Sequence, residues 1–380
     1  MIFRIRKWMG LLKANRKKVL IVAVILLVLF GIYRLVGQFT TYTKTAVVKD
    51  YSAEGEDNYS YKEFADGVVR YSRDGVIFLN QKNEEQWNQP AQFNAPMIVT
   101  NEKAFAVADR GGNSLMVFNK DGLLGEISTN LPIEQMAVSN QGITAVILKQ
   151  ESSPKIVTYD IAGNVLVETQ ATFQNSGYPM AVALSEDANL MAVSYMTLKD
   201  GAISSRVVYY NFGSVGQSKT DNQVSETDYK TAIVPELFFW DSQTSVAVAD
   251  DHFDIYEGTQ IPEKKTTVKL DKEIRSSFHS KDYLGFILKN SDSAGYELRL
   301  YNKNGKQILS ESMKGEYGNV KISGKEVLLF EGSKAVIFTK SGHKKFQGDL
   351  GMETTEIVPL SGTNQYLLLD ANKVKKVKLR

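Results

Sequence analysis

A short turn recurs along this sequence and limits the folds that the chain can adopt. In SLMVFNKDGLLGEIS, residues 114–128, two apolar segments flank an Asn-Lys-Asp-Gly turn. Equivalent turns follow at intervals of 41, 50, 45, 47 and 37 residues, and their glycines are Gly122, Gly163, Gly213, Gly258, Gly305 and Gly342. A degenerate copy at Asn83 lies 39 residues before Gly122. A regular period of this kind is typical of repeat architectures.

Each repeat contains short apolar segments and no helical pattern. From Tyr61 onward, runs of Val, Ile, Phe, Tyr and Leu alternate with Gly, Asn, Asp and Ser, which is typical of β-strands joined by turns. Residues 319–349 contain four such segments, NVKIS, EVLLFEG, KAVIFTKSG and HKKFQGD. Four strands in a repeat of about 40 to 50 residues predict an all-β fold, the β-propeller.

The two ends of the chain are expected to share one blade. Seven complete repeats precede three apolar segments between Glu356 and Leu379, so the last blade lacks a fourth strand. An unpaired sheet edge invites aggregation, and residues 44–50, KTAVVKD, are the natural donor of the missing strand. Eight blades are therefore predicted, with seven as the alternative if residues 61–66 form a loop. The basic KVKKVKLR is interpreted as a protected edge strand, with contact to anionic lipid or wall polymer as the alternative.

The amino-terminal segment has the composition of a membrane anchor. Seven basic residues and no acidic residue precede Val19, and fifteen uncharged residues then run to Tyr33. Because Lys18 and Arg34 can extend toward the interface, residues 19–36 are predicted to span the bilayer as an uncleaved signal anchor. A cleavable signal peptide is the alternative, although no Ala-x-Ala site follows. The basic residues favour a cytoplasmic amino terminus.

These features divide the chain into four parts. We expect a cytoplasmic basic head at residues 1–18, the anchor at 19–36, a juxtamembrane linker with the closing strand at 37–60, and an extracytoplasmic propeller at 61–380. Beyond the head, 38 basic residues stand against 43 acidic ones, which argues against a nucleic-acid partner. The absence of cysteine excludes disulfides, thiolate zinc sites and cysteine nucleophiles.

An early repeat carries a recognisable order of residues. In YSRDGVIFLNQKNEEQW, residues 71–87, Asp74 and Gly75 precede a strand with Leu79, a turn and Trp87. With the basic head and the single anchor, this order resembles a family of membrane-anchored propeller proteins of Gram-positive bacteria, whose repeats are similar to quinoprotein-like and WD40-like blades. The resemblance implies a fold and a location but no activity. True quinoprotein blades are richer in tryptophan than this chain, which has only Trp8, Trp87 and Trp240.

No catalytic constellation is evident in the sequence. The histidines, His252, His279 and His343, lie in different repeats without metal-ligand spacing, and structural roles are favoured for them. DRGGNS, residues 109–114, is interpreted as a turn between strands and not as a phosphate-binding loop. VADDHFD, residues 248–254, supplies hard oxygen ligands suited to calcium from Asp250, Asp251 and Asp254. Because aspartate is also common in turns, no metal or cofactor is predicted.

The predicted binding surface lies on the loops between the second and third strands of the repeats. These loops are longer and more polar than the turns between third and fourth strands, which look uniformly short. The candidate binding residues are Arg110, Lys149, Glu151, Lys199, Asp200, Asp251 and Lys289. A polar insertion at residues 213–230 is a further candidate contact loop, or merely a tolerated length.

Three functional hypotheses follow. The leading one is a non-catalytic scaffold, tethered to the lipid bilayer through residues 19–36, that binds a protein or a glycan at the cell envelope. A propeller enzyme of the quinoprotein dehydrogenase or lyase kind is the second. A ligand sensor is the third, and its short cytoplasmic head would require a membrane partner.

Overall fold

The computed structural model describes residues 20–21, 24–25, 40–51, 58–151, 153–172, 176–199, 201–290, 295–371 and 373–380. Residues 20–21 and 24–25 are helical. The rest of the predicted anchor, the basic head and part of the predicted linker lie outside the described residues. Among the described residues, no helix combines the length and hydropathy that crossing a membrane requires.

The chain forms eight four-stranded antiparallel sheets, which are the blades of a β-propeller. Blade 1 contains β2 (Ser60–Phe64), β3 (Gly67–Ser72), β4 (Gly75–Asn80) and β5 (Glu85–Pro90). Blade 2 contains β6 (Pro96–Thr100), β7 (Ala104–Asp109), β8 (Ser114–Asn119) and β9 (Gly122–Ser128). Blade 3 contains β10 (Ile133–Val138), β11 (Thr144–Leu148), β12 (Lys155–Tyr159) and β13 (Val165–Gln170). Blade 4 contains β14 (Tyr178–Leu184), β15 (Leu190–Lys199), β16 (Ala202–Asn211) and β17 (Gln223–Tyr229).

The other four blades follow the same order along the chain. Blade 5 contains β18 (Glu236–Phe239), β19 (Thr244–Val248), β20 (His252–Glu257) and β21 (Glu263–Lys269). Blade 6 contains β22 (Glu273–His279), β23 (Tyr283–Lys289), β24 (Gly295–Asn302) and β25 (Gln307–Lys314). Blade 7 contains β26 (Asn319–Ser323), β27 (Glu326–Glu331), β28 (Lys334–Thr339) and β29 (Lys344–Asp349). Blade 8 contains β30 (Glu356–Pro359), β31 (Gln365–Asp370), β32 (Lys373–Leu379) and, as its outermost strand, β1 (Thr45–Asp50).

Blade 8 closes the ring with strands from both ends of the chain. Strand β1 pairs antiparallel with β32, so that Thr45 lies opposite Leu379 and Asp50 lies opposite Lys375. The predicted closure by residues 44–50 and the eight-blade count are therefore confirmed. The seven-blade alternative is wrong, because residues 60–64 form β2 and pair with β3.

The core lies between neighbouring blades, where their faces pack together. The second and third strands are buried on both faces, as in β7, whose six residues are all buried. This explains their continuous apolar runs, whereas outer strands such as β13 alternate with a period of two. Between blades 1 and 2, Trp87 stacks on Phe118 with ring centroids 5.3 Å apart, and its indole N–H donates to Lys120 O at 3.0 Å.

The antiparallel order gives the disc two different faces. The face that carries the turns between strands 1 and 2 and between strands 3 and 4 of each blade, for example Glu102 and Lys120, is called the turn face. The opposite face carries the loops between strands 2 and 3 together with the links between blades, for example Arg110 and Pro132, and is called the loop face.

Blade 4 differs from the sequence-based expectation. The polar insertion at residues 213–230 contains a short helix, α1 (Ser214–Gln217), a 3-10 turn (Thr220–Asn222) and the outer strand β17. The prediction that every turn between third and fourth strands is short is therefore wrong for this blade. An outer strand is buried on one side only, so QVSETDY needs no apolar run and was not recognisable as a strand.

Candidate functional site

A cleft of about 570 Å³ opens on the loop face between blades 2 and 3. It is lined by Met97, Ile98, Val99, Arg110, Gly111, Pro132, Ile133, Glu134, Gln135, Met136 and Lys149. The first strands of the two blades supply the apolar residues, and the loops of the loop face supply the two cations. Apolar walls with a few polar groups at the edge are typical of binding clefts.

Backbone hydrogen bonds between blades 2 and 3 hold the cleft in shape. The Gly111 N–H donates to Ile133 O and the Ile133 N–H donates to Gly112 O, both at 2.8 Å. Gly111 has a φ of +77°, which favours glycine. A Cβ atom on Gly112 would lie 2.5 Å from Asp109 Oδ2. The two glycines of DRGGNS therefore allow the loop to meet the next blade, and the interpretation of this segment as a turn is confirmed.

Asp109 fixes the same loop to the preceding link. Its buried carboxylate accepts hydrogen bonds from the backbone N–H groups of Asn94 at 2.9 Å and Ala95 at 2.7 Å. The Arg110 N–H donates in turn to Ala95 O at 2.9 Å. The Arg110 backbone is thus fixed by its own hydrogen bond and by those of its neighbours Asp109 and Gly111, while its side chain remains exposed.

Arg110 and Lys149 give the cleft its positive charge. The Lys149 N–H donates to Pro132 O at 2.8 Å, so this backbone is also fixed, and the residue is exposed. No carboxylate of the described residues forms an ion pair with either side chain. Two cations on a rigid backbone, beside Met97 and Met136, suit a ligand that combines carboxylates with apolar groups.

The acidic residue of the cleft is already engaged. Glu134 Oε2 accepts a hydrogen bond from the Tyr178 hydroxyl at 2.6 Å. Burial of the phenol, together with this carboxylate, raises the pKa of Tyr178 to about 12. The contact joins blades 3 and 4. Glu134 remains a negative charge in the wall of the cleft, but it forms no ion pair with Arg110 or Lys149.

The other predicted binding residues do not line this cleft. Glu151 is exposed on the same blade 3 loop as Lys149. Asp251 on blade 5 contacts His252, and Lys289 on blade 6 lies 3.9 Å from Glu273. The side chain of Lys199, at the end of β15, and all of Asp200 lie outside the described residues.

The carboxylates weighed as a calcium site are held by other groups. Asp254 is fully buried, and its Oδ2 lies 2.7 Å from Lys264 Nζ and 2.5 Å from the Tyr229 hydroxyl. Thr267 Oγ1 donates to Oδ1 at 2.5 Å, so a cation, a phenol and a hydroxyl share this carboxylate. Across the described part of the chain, no three His, Cys, Asp or Glu side chains are placed to hold a metal ion.

The histidines lie in separate environments. The His279 ring stacks on Phe238 at 3.8 Å, and desolvation, with Lys62 acting in the same direction, lowers the pKa of His279 to about 4. His252 stacks on Tyr229, and His343 Nε2 lies 3.3 Å from Thr40 O. The structure does not bring the three together.

An ion pair crosses the central channel near the turn face. Lys281 Nζ on blade 6 lies 2.7 Å from Glu102 Oε1 on blade 2, and these blades are opposite each other in the ring. A second cavity, of about 390 Å³, lies on the blade 3 to blade 5 side of this pair and includes Phe239 and Trp240 in its wall. Sequence reasoning missed this pair, because its partners are 179 positions apart and neither lies in a distinctive motif.

A cluster of charged residues joins three blades near the two ends of the chain. Lys321 on blade 7 lies 2.7 Å from Glu63 on blade 1 and also contacts Glu356 on blade 8. Burial acts to lower the pKa of Lys321, but the two carboxylates outweigh it and raise this pKa. The cation therefore stays charged and links three inner strands.

Several solved structures have a similar fold at low sequence identity. BamB from Moraxella catarrhalis is 13% identical, with a TM-score of 0.52 over 88% of this chain and 100% of that one. The computationally designed Ika8 protein is 12% identical, with a TM-score of 0.56 over 90% and 100%. Chaetomium thermophilum Sqt1, solved bound to the N-terminus of ribosomal protein L10, is 12% identical, with a TM-score of 0.53 over 88% and 99%. At this identity the similarity shows the propeller fold alone.

The sequence itself gives a family. No curated protein matches the chain. Residues 38–379, which contain all eight blades, match one family over their whole length, and the chain therefore belongs to DUF5711, a family of unknown function.

Proposed function

We propose that this protein is a non-catalytic scaffold, tethered to the membrane at the cell envelope, whose loop face binds an acidic segment of a partner protein. The cleft between blades 2 and 3 carries this proposal, because Arg110 and Lys149 flank it without carboxylate partners in the described part of the chain. A protein segment fits better than a glycan, since carboxylates and apolar side chains together match the cations and the methionine-lined wall.

Other propellers support binding of this type. The Sqt1 structure was solved bound to the N-terminus of ribosomal protein L10. The present chain shares the fold with Sqt1 and offers a preformed cleft, which lowers the entropic cost of binding a segment.

Reversal of the two cations tests the binding site. In intact cells that express the full chain, a photo-crosslinking residue at Glu151 should capture one or more proteins. The double variant Arg110→Glu, Lys149→Glu should lose these products, with affinity for a captured partner falling by about tenfold or more. Melting should change little, because exposed substitutions usually shift stability by less than about 0.5 kcal/mol.

A matched control separates the cleft from net charge. Lys82→Glu with Lys120→Glu makes the same change of charge on exposed positions of the turn face. The control should keep the crosslinked products. Loss of the products in the control, or their persistence in the Arg110 and Lys149 variant, contradicts binding at this cleft.

The membrane location rests on the charge pattern of residues 1–36. The full chain should stay in the membrane fraction after an alkaline wash, and protease added outside intact protoplasts should degrade the propeller. Release by the wash rejects the tether, and protection from external protease rejects the outward orientation.

A further inference from the structure

The point at which the propeller receives its amino-terminal segment is fixed on the turn face. Thr41 Oγ1 donates to Lys344 O at 2.7 Å, and the Tyr42 N–H donates to Lys345 O at 2.9 Å. Tyr42 also bridges Phe346 in a parallel arrangement. Residues 40–43 therefore run beside the start of β29 before the chain crosses to blade 8 as β1. The continuous described part of the chain therefore begins at this edge of the disc, at Thr40.

Five basic residues surround this point and are called the basic rim: Lys44, Lys325, Lys340, Lys344 and Arg380. They are neighbours through the backbone. The Lys44 N–H donates to Arg380 O at 3.1 Å, and the Arg380 N–H donates to Lys44 O at 2.8 Å. The Lys340 N–H donates to Lys325 O at 3.1 Å. Lys44, Lys325 and Arg380 are exposed, and the other two are half-buried.

The basic rim lacks carboxylate partners of its own. None of its side chains forms an ion pair with another described residue. Glu326, the adjacent acid on blade 7, is occupied by Lys345 and by the Tyr366 hydroxyl at 2.7 Å. Lys340 lies over the Tyr283 ring at 4.0 Å. Burial lowers the pKa of Lys340, and the nearby charge of Lys325 lowers it further, whereas Asp282 acts to raise it. Glu311 also lies at this edge, since its Oε1 would be 2.8 Å from a Cβ atom on Gly342, but it forms no ion pair with a rim side chain. A bound anion would therefore lower the electrostatic repulsion among the rim cations.

The length of the connection limits how far a bilayer can be from this rim. Residues 19–36 are the predicted span, and only three residues separate them from Thr40. A fully extended chain covers at most about 3.6 Å per residue, so Thr40, the point that the rim surrounds, lies within about 14 Å of the end of the span. The screening length in physiological salt is about 8 Å, so cations near Thr40 are close enough to be attracted by anionic headgroups.

We propose that the basic rim binds the phosphate headgroups of anionic lipids in the bilayer that residues 19–36 span. This inference rests on the proposed membrane tether. The turn face then faces the bilayer at blades 7 and 8, because clustered lysine and arginine side chains gain free energy at an anionic surface. The loop face, with Arg110 and Lys149, points away from the membrane toward its partner.

Single-cysteine labelling tests the orientation, because the natural chain has no cysteine. The full chain is placed in nanodiscs of phosphatidylcholine with or without phosphatidylglycerol, with a fluorophore at Ser341→Cys on the turn face or at Glu151→Cys on the loop face. A nitroxide on the lipid headgroup should quench the label at position 341 at least twofold more in anionic discs. High salt should remove this difference, and the label at position 151 should show none.

Charge reversal assigns the effect to the rim. The triple variant Lys325→Glu, Lys344→Glu, Arg380→Glu should reduce quenching in anionic discs to the level of neutral discs. The matched control Lys103→Glu, Lys120→Glu, Lys219→Glu changes exposed positions on the same face of blades 2 and 4 and should retain the difference. Equal quenching in the two kinds of disc, or an unaffected triple variant, overturns the proposal.

Failure of the tether is distinguishable from failure of the rim. If an alkaline wash releases the full chain from membranes, the tether is rejected, and the released chain is then sedimented with phosphatidylglycerol vesicles. Vesicle binding that the triple rim variant loses supports the rim without the tether. Vesicle binding that is absent, or insensitive to the triple variant, overturns the rim as well.

Discussion

Glu297, on β24 of blade 6, is predicted to make the stability of the propeller depend on acid pH. Arg299 Nε lies 2.6 Å from its Oε1, and Lys272 Nζ lies 2.5 Å from its Oε2. Ser310 Oγ also donates to Oε1 at 2.7 Å, and the residue is 7% exposed. These contacts, led by the hydrogen bond from Arg299, lower the pKa of Glu297 from 4.5 to about 2.

The size of the effect follows from the difference between the folded and unfolded pKa values. Lowering the pKa from 4.5 to about 2 stabilises the folded state by about 3 kcal/mol, since each pKa unit is worth about 1.4 kcal/mol. Lys272 is 27% exposed, so water screens part of the network, and we expect about 2 kcal/mol. The stabilisation is complete above pH 4.5, where the carboxyl is ionised in both states. It disappears as the pH falls toward 2.

Urea unfolding of the full chain at pH 7, 5, 4 and 3, followed by tryptophan fluorescence, to which buried Trp240 contributes, measures this contribution. Glu297→Gln should lose about 2 kcal/mol at pH 7 and should then lose less stability than the natural protein between pH 5 and pH 3. Glu263→Gln, on the exposed outer strand of blade 5, is the matched control and should follow the natural protein. Parallel loss of stability in the natural protein and in Glu297→Gln over this pH range refutes the reasoning.

Two further predictions concern closure and the buried carboxylate of blade 5. Ala46 lies opposite Lys378 across the closing strands, so Ala46→Cys with Lys378→Cys should form a disulfide under oxidising conditions and raise stability by about 2–4 kcal/mol, as read by non-reducing gels and thermal melting. Cysteines that stay reduced contradict the register. Asp254→Asn should cost about 2–3 kcal/mol in urea unfolding, because Lys264 loses its counter-charge, while Asp251→Asn, at an exposed carboxylate, should change stability by less than about 0.5 kcal/mol. Equal effects of the two, or a melting shift on calcium addition, contradict the assigned role of Asp254.

The fold was predictable because each of blades 1 to 7 forms from one continuous stretch of sequence with its own pattern of strands and turns. The turn glycine recurs in six repeats and the apolar second and third strands recur in all of them. The missing fourth strand of the last repeat points to residues 44–50. Strand β17 escaped this reasoning because QVSETDY buries few of its residues and carries no apolar run. Outer strands contribute few residues to the core, so packing places few constraints on their sequences.

The candidate site was predictable only in part. Loop position identified Arg110 and Lys149, which the structure places at one cleft. Loop position alone did not show that Asp251 and Lys289 lie outside this cleft, because the packing of blade 2 on blade 3 decides which loops line it. The pair of Glu102 and Lys281 and the burial of Asp254 depend on distances across the ring or between outer strands, and no local pattern encodes them.

The pairing of β1 with β32 also has a consequence for biosynthesis. The closing strand leaves the ribosome before all the other strands, and its partner leaves after them, so the ring cannot close until about 330 further residues have been translated. During that time Val47 and Val48 belong to a strand without a hydrogen-bonding neighbour, which is a hazard for aggregation. Contacts so distant in sequence form slowly, because chain entropy opposes them until the intervening blades are in place. We therefore expect closure of blade 8 to be the late step of folding and the one most dependent on chaperones.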